Sequence, residues 1–398
     1  MSSMKWASVA SDLASLDEAV EECVLSIRGD LGNAPPDLAV IFVSPHFANQ
    51  YERIPQVILD KLGPTMLFGC SAGGVIGGGH EIEHRPGFSL TVAQLPDVAL
   101  LTFHLQSGDL PELDAGPDEW EKTLNVSAKN EPDFLLVIDP FSFPAENFLL
   151  GIDYGFSRSV KVGGLASGGH RPGENALFLG ETVHQSGAIG IAMEGNVAID
   201  PIVAQGCRPI GNVMGITKSQ HSMLQELDQK SPLEVLKDLF ASSVERDQEL
   251  MQSSLFLGIV MDDFIEDPKQ GDFLVRNVIG LDSRTGIMAI GENIREGQRV
   301  QFHLRDALTS ADDLAGALGR YVDENRASES QGALLFSCLG RGENLYGRPD
   351  HDTDMFKDKL GVPLGGFFCN GEIGPVGGST FLHGYTSSFG IFRPKRDS

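Results

Sequence analysis

Three short stretches of this chain carry side chains whose types and spacing match known chemistry. His80, Glu81 and His84 stand in the order H-E-x-x-H. On a helix that order sets two imidazoles one turn apart, able to hold zinc beside a general base. Here Gly77, Gly78 and Gly79 precede the stretch and Pro86 and Gly87 follow it, which opposes a helix. On an extended strand the two histidines would stand about 13 Å apart, too far for one ion. No metal site is expected there. Gly69, Ser71 and Gly73 spell G-x-S-x-G, in which a serine sits at a sharp turn between strand and helix. Gly74, Val75, Ile76 and Gly77 make a poor helix start, so a structural turn is expected rather than a serine nucleophile.

The third stretch is chemically richer. One apolar run ends in Ser337-Cys338-Leu339-Gly340-Arg341-Gly342, and a later one ends in Cys369-Asn370-Gly371-Glu372. If both runs are parallel strands, their loops meet at one carboxyl edge, where ligands of open α/β sheets bind. Arg341 offers a planar fork for a carboxylate or phosphate. Gly340 and Gly342, which flank Arg341, let backbone N–H groups approach an anion. Asn370 supplies donor and acceptor, and Glu372 suits an amine. Cys338, Gly340, Arg341, Asn370, Gly371 and Glu372 are therefore the expected ligand site, for a small metabolite resembling an amino acid. The alternative is that Arg341 and Glu372 pair with each other and close the two loops. Cys338 and Cys369 are weak candidates for a catalytic nucleophile, since buried thiols are usually inert.

The elements that would position these residues recur along the chain. DLAVIFVSP from Asp37, DFLLVIDP from Asp133 and GALLFSC from Gly332 each read as a strand buried on both faces. Each is followed by a helix-like stretch, near 49–62, 145–156 and 352–360, then a second strand and a glycine turn. Asp37 to Gly69, Asp133 to Gly164 and Gly332 to Gly366 span 32, 31 and 34 positions. That spacing suits a βαβ unit with a right-handed crossover. The tetrapeptide HRPG occurs at 84–87 and again at 170–173, which supports a repeat. Further helices are expected over 11–28, 231–242 and 310–325, and a hairpin around Gly195-Asn196. Four apolar runs between Leu255 and Asp306 read as an antiparallel meander.

The expected fold is α/β, a two-domain, mixed-sheet, layered fold with repeated βαβ–glycine-turn units. Residues 1–206 would hold two repeats (37–106 and 133–204). Residues 207–398 would hold the meander and a third repeat (332–384). A length of 398 residues suits two or three domains. The formal net charge of −25 argues against nucleic-acid and anionic-membrane partners. Five cysteines with no CxxC pair oppose a disulfide framework or a structural zinc site and fit a reduced, cytoplasmic setting. There is no secretory signal pattern at the start and no apolar run of membrane-spanning length.

DPFSFP (139–144), VGGLASGG (162–169), AQGCRPIG (204–211), EGQRVQFHLRD (296–306), SCLGRG (337–342) and GGFFCNGEIGP (365–375) together resemble the FIST family, over residues 30 to 392. The name stands for F-box and intracellular signal transduction. The resemblance implies an N-terminal and a C-terminal FIST module and a sensory role, with small ligands such as amino acids. No cofactor is expected. Nothing before residue 30 is long enough for an F-box, a kinase or a methyl-accepting module, so output would pass through a protein partner. An adaptor that holds a protein, or an enzyme with a cysteine nucleophile, are the alternative readings.

Overall fold

In a computed structural model describing residues 4–112, 114–324 and 327–395, the apolar runs become strands buried on both faces. From the start of the chain run β1 (Lys5–Ser11), α1 (Leu16–Leu31), β2 (Leu38–Val43), α2 (Ile54–Leu62), β3 (Met66–Ser71), β4 (Gly74–Gly77), β5 (His80–Glu83), β6 (Phe88–Gln94) and β7 (Val98–Leu105). Next come α3 (Pro117–Leu124), β8 (Asp133–Ile138), α4 (Ala145–Gly155), β9 (Lys161–Leu165), β10 (Leu177–Leu179), β11 (Thr182–His184), β12 (Ala188–Gly195) and β13 (Ala198–Gln205). The middle holds β14 (Cys207–Gln220), β15 (Met223–Leu227), α5 (Pro232–Ser242), α6 (Glu245–Ser253), β16 (Leu255–Val260), β17 (Phe273–Leu281), β18 (Met288–Ile290) and β19 (Arg299–Arg305). The chain continues with α7 (Ala307–Asp323), β20 (Gly332–Cys338), α8 (Gly342–Tyr346), α9 (His351–Lys359), β21 (Leu364–Cys369), β22 (Glu372–Val376), β23 (Ser379–His383) and β24 (Thr386–Arg393).

The chain forms two compact units. One comprises the residues up to Val203 with Ala315–Leu382 and the stretch from Thr386; the other comprises Ala204–Leu314 and His383–Tyr385. The expected C-terminal domain, 207–398, is therefore not one unit, because the third parallel pair belongs with the first two. The first unit holds three six-stranded sheets in the orders β1-β6-β2-β3-β10-β11, β7-β12-β8-β9-β22-β23 and β13-β24-β20-β21-β4-β5. Each has a parallel pair at its centre: β2 with β3, β8 with β9, and β20 with β21. Each pair takes a hairpin from another stretch of chain, in a cycle. β3 pairs with β10, β9 with β22, and β21 with β4.

Alternation explains why β2 is apolar at every position. Leu38, Val40 and Phe42 enter one core cluster, while Ala39, Ile41 and Val43 enter another with α1 and α2. Burying each larger aliphatic or aromatic side chain contributes about 1.5–3 kcal/mol. A common backbone device sits on the second strand of each pair. Gly69, Gly163 and Gly366 have φ of +148°, +158° and +150°. A Cβ on them would lie 1.8, 1.9 and 2.0 Å from the carbonyl oxygens of Ile41, Leu136 and Leu335. The second repeat's equivalent glycine is thus Gly163, not Gly164. The two HRPG tetrapeptides are not equivalent: 84–87 joins β5 to β6, and 170–173 lies between β9 and β10.

Two other expectations change. β12 and β13 form no hairpin with each other, because β7 and β8 already occupy both edges of β12, and β13 joins β24 instead. Of the helix expected over 11–28, Ser11 is the last residue of strand β1, and α1 starts only at Leu16, capped by Ser15. The meander closes into a barrel in the second unit, in the order β14-β15-β18-β17-β16-β19. β19 pairs with β16 and β14 rather than following β18. α5 carries the expected Ser231 cap, reciprocated by Glu234, and Val235, Leu236 and Leu239 pack against the barrel core. No helix among the described residues is long and apolar enough to cross a membrane.

Candidate functional site

The residues singled out at 338–342 and 369–372 do share one sheet edge, because β20 and β21 are parallel with Cys338 opposite Cys369. The charged groups among them, however, face inward. Arg341 is fully buried. Its Nε donates to Asp352 Oδ2 at 2.8 Å and its Nη2 to Asp352 Oδ1 at 3.0 Å. Nη2 also donates to the Tyr346 hydroxyl at 2.7 Å. The fork expected to grip a ligand, or Glu372, is instead engaged by Asp352. Burial opposes the charge on both groups, but each partner's charge overrides it, so Arg341 is raised and Asp352 held well below the usual carboxylate range. Ser387 Oγ and His351 Nδ1 add hydrogen bonds to Asp352 at 2.7 and 2.9 Å.

Glu372 is fully buried as well. Its Oε2 accepts from the Thr386 amide at 3.0 Å, and its Oε1 lies 3.5 Å from Cys369 Sγ. Burial pushes its carboxyl up to about 8, against the Thr386 hydrogen bond. Burial likewise pushes the Cys369 thiol up, which disfavours it as a primary nucleophile. Cys338 is half-buried and Asn370 exposed. Asn370 is held by its amide N–H to Leu165 O and its side-chain amide to Ala166 O, at 3.1 and 3.2 Å. The turns after β3, β9 and β21 meet here. Leu165 N–H donates to Gly371 O at 2.9 Å, and Gly73 N–H donates to Ser167 Oγ at 2.9 Å.

The H-E-x-x-H stretch is strand β5, with a left-handed His84 (φ +58°) ending it. Its two carboxylates cap helices that begin far along the chain. Glu81 Oε1 accepts from Thr353 N–H at 2.9 Å, in the first turn of α9. Glu83 Oε1 accepts from Glu343 N–H at 2.8 Å, in the first turn of α8. Both acceptors satisfy amides that a helix leaves unpaired. A Cβ on Gly342 would lie 2.1 Å from Glu83 Oε1, so only glycine admits that carboxylate. Burial, with the Asp352 charge adding, pushes Glu81 up to about 8. Ser71 of the G-x-S-x-G stretch is buried and followed by strand β4 rather than a helix. Its hydroxyl donates to Asn175 Oδ1 at 3.2 Å and accepts from Ala176 N–H at 2.9 Å. Asn175 in turn donates to the buried Asp139 at 2.8 Å.

An open site lies at the corresponding edge of the first parallel pair. The 3-10 turn Pro45–Arg53 after β2 and the 168–176 segment border a cleft of about 450 Å³. Asn49, Tyr51, Glu52, His170, Asn175 and Gln185 line it. Sequence reasoning missed this cleft because its far wall comes from the loop before β10, which only the hairpin exchange brings to β3. Asp352 and Tyr346, the partners of Arg341, lie only 11 and 5 positions away and were missed because the packing of α8 and α9, not their order in the chain, decides which of their side chains reach the arginine. The one local sign was a run of acids at the start of α9. The barrel holds a cleft of about 440 Å³ beside α5, with Met214, Leu239 and Phe302 among its lining.

Comparison with known proteins gives the following relations. An uncharacterized Mycobacterium tuberculosis protein is 36% identical over 375 residues, covering 94% of this chain and 96% of the relative. An uncharacterized Mycobacterium bovis protein is 33% identical over 376 residues, with 94% and 95% covered. An F-box/LRR-repeat protein of Arabidopsis thaliana is 27% identical over 140 residues, covering 31% of this chain and 26% of that protein. Among solved structures, a cyanuric acid hydrolase from A. caulinodans aligns with a TM-score of 0.35 and 8% identity, covering 99% of this chain and 100% of that one. The FIST N domain matches residues 37–230 and the FIST C domain residues 232–375. The chain therefore belongs to the FIST family of sensory signal-transduction domains.

Proposed function

We propose that this chain senses a small polar metabolite, with amino acids the first class to test, and passes its state to a protein partner. The observation that carries the reading is the cleft of about 450 Å³ at the carboxyl edge of β2 and β3. Its size falls in the range of metabolite pockets, and that edge is where α/β sheets take ligands. Glu52, exposed on its rim, suits an amine; Asn49 and Gln185 supply donors and acceptors. The ligand site moves here from the edge at Arg341, whose fork is already engaged.

The adaptor reading has one observation of its own. Leu150 and Tyr154 stand one turn apart on α4 and are 66% and 61% exposed, an apolar pair that a partner could cover. Native mass spectrometry of the freshly purified chain tests the sensory reading, alongside melting curves with each proteinogenic amino acid. A retained metabolite, or a raised melting temperature, that disappears in Ala48→Trp supports it. No retained mass and no shift across the panel would count against it.

A further inference from the structure

Cys338 and Cys369 are directly opposed across the parallel pair β20/β21. Opposed residues project to the same face of a sheet. The layer beneath supports this: Phe336 and Phe367 are opposed in the same way, and their rings meet edge to face at 5.8 Å. Neighbouring strands stand about 4.8 Å apart, inside the Cα range that a disulfide spans. Cys369 Sγ already leans toward β20, donating to Ser337 O at 3.4 Å. Gly164 leaves room beside that sulfur, since a Cβ there would lie 3.1 Å from it. Cys338, half-buried at the sheet edge, is the more accessible thiol of the two.

We propose that this pair is a peroxide-responsive dithiol: Cys338 is oxidised first, and Cys369 closes a reversible disulfide across the carboxyl edge of β20 and β21. In the first step the Cys338 thiolate attacks hydrogen peroxide. An S–O bond forms, the O–O bond breaks, and the departing hydroxide takes a proton to become water. In the second, Cys369 Sγ attacks the Cys338 sulfur, the S–S bond forms and the S–O bond breaks. With Glu372 in its ionised form, the Cys369 proton passes to that carboxylate, 3.5 Å from Sγ, and leaves with the hydroxide as water. Two thiols supply two electrons, and one peroxide becomes two waters. A small thiol such as glutathione reverses the closure. Glu372 is suited to its part, because burial raises its carboxyl and makes its anion a stronger base. Arg341 lies near enough to Cys338 to interact with it electrostatically.

The test uses the intact chain and hydrogen peroxide, followed by intact-mass and peptide mapping. Wild type should lose two hydrogens and yield a peptide linked between Cys338 and Cys369, reversed by glutathione. Cys369→Ser should stop at sulfenic acid on Cys338, captured by dimedone. Glu372→Gln should slow closure about tenfold or more with the first oxidation unchanged. The proposal is overturned if wild type forms no such link. It is equally overturned if Cys338 runs on to sulfinic acid while Cys369 stays a free thiol. The wild-type map decides the matter even if a buried variant folds poorly.

Discussion

The carboxyl edges of the first and third parallel pairs are built from the same strand order and filled differently. At β2/β3 the loop after the first strand and the incoming hairpin segment leave a cleft of about 450 Å³. At β20/β21 the corresponding space is taken by Arg341, Asp352 and the β5 carboxylates, which hold α8 and α9 in place. The backbone topology makes an edge. Whether that edge is a site depends on whether the chain's own side chains satisfy it. An arginine between glycines looks like an anion grip until its buried partner is known.

The largest effect expected from breaking this contrast is at the filled edge. Arg341→Ala should cost about 3–5 kcal/mol, because it leaves Asp352 as an uncompensated buried charge. Removing both charges with Arg341→Met and Asp352→Leu should cost clearly less. Urea denaturation of the three proteins checks this; equal losses in single and double variants would mean that the pair is not the reason the edge is closed.

Next come the glycines that both edges share. Gly69→Ala and Gly366→Ala should each cost about 3 kcal/mol, from overpacking against a carbonyl added to backbone strain. Melting temperatures should fall in parallel, and a tolerated substitution at either position would separate the two edges structurally.

The third prediction uses pH. Glu81 and Glu372 titrate near 8 in the folded chain against 4.5 for an ordinary glutamate. A raised carboxyl binds its proton more tightly when folded. Its contribution to stability is complete below about 4.5 and is lost as pH rises through about 8. Stability should therefore fall from about pH 5 to 8, and Glu81→Gln with Glu372→Gln should flatten the fall. Denaturation midpoints at stepped pH provide the measurement. An equally steep fall in the double variant would place its origin elsewhere.

The smallest change in stability is expected at the open edge. Ala48→Trp, at an exposed cleft position, should leave stability within about 0.5 kcal/mol while blocking whatever the cleft binds. A matching loss of stability would mean that the cleft is packed core rather than open space.

By itself the sequence determined the local elements of this protein. Apolar runs flanked by glycine and proline became the parallel strands, Ser231-Pro232 became a helix start, and Gly77 to Gly79 with Pro86 kept the H-E-x-x-H stretch out of a helix. These are short-range effects of periodicity, capping and backbone freedom, legible within a dozen residues. The conformation that admits Gly69 and Gly366 was visible as recurrent glycine, although its second-repeat counterpart was misplaced by one residue. Only the tertiary structure decided the partners. It exchanged hairpins among three sheets and sent β12 and β13 to different ones. It brought Glu81 and Glu83 to amides 272 and 260 positions away. It also chose Asp352 over Glu372 for Arg341. A buried charge pairs with whatever the packed chain places beside it, because burial without a partner is too costly. For Glu81 and Glu83 that neighbour is set by sheet pairing across hundreds of residues; for Arg341 it lies 11 positions on, and the docking of helix α9 selects it.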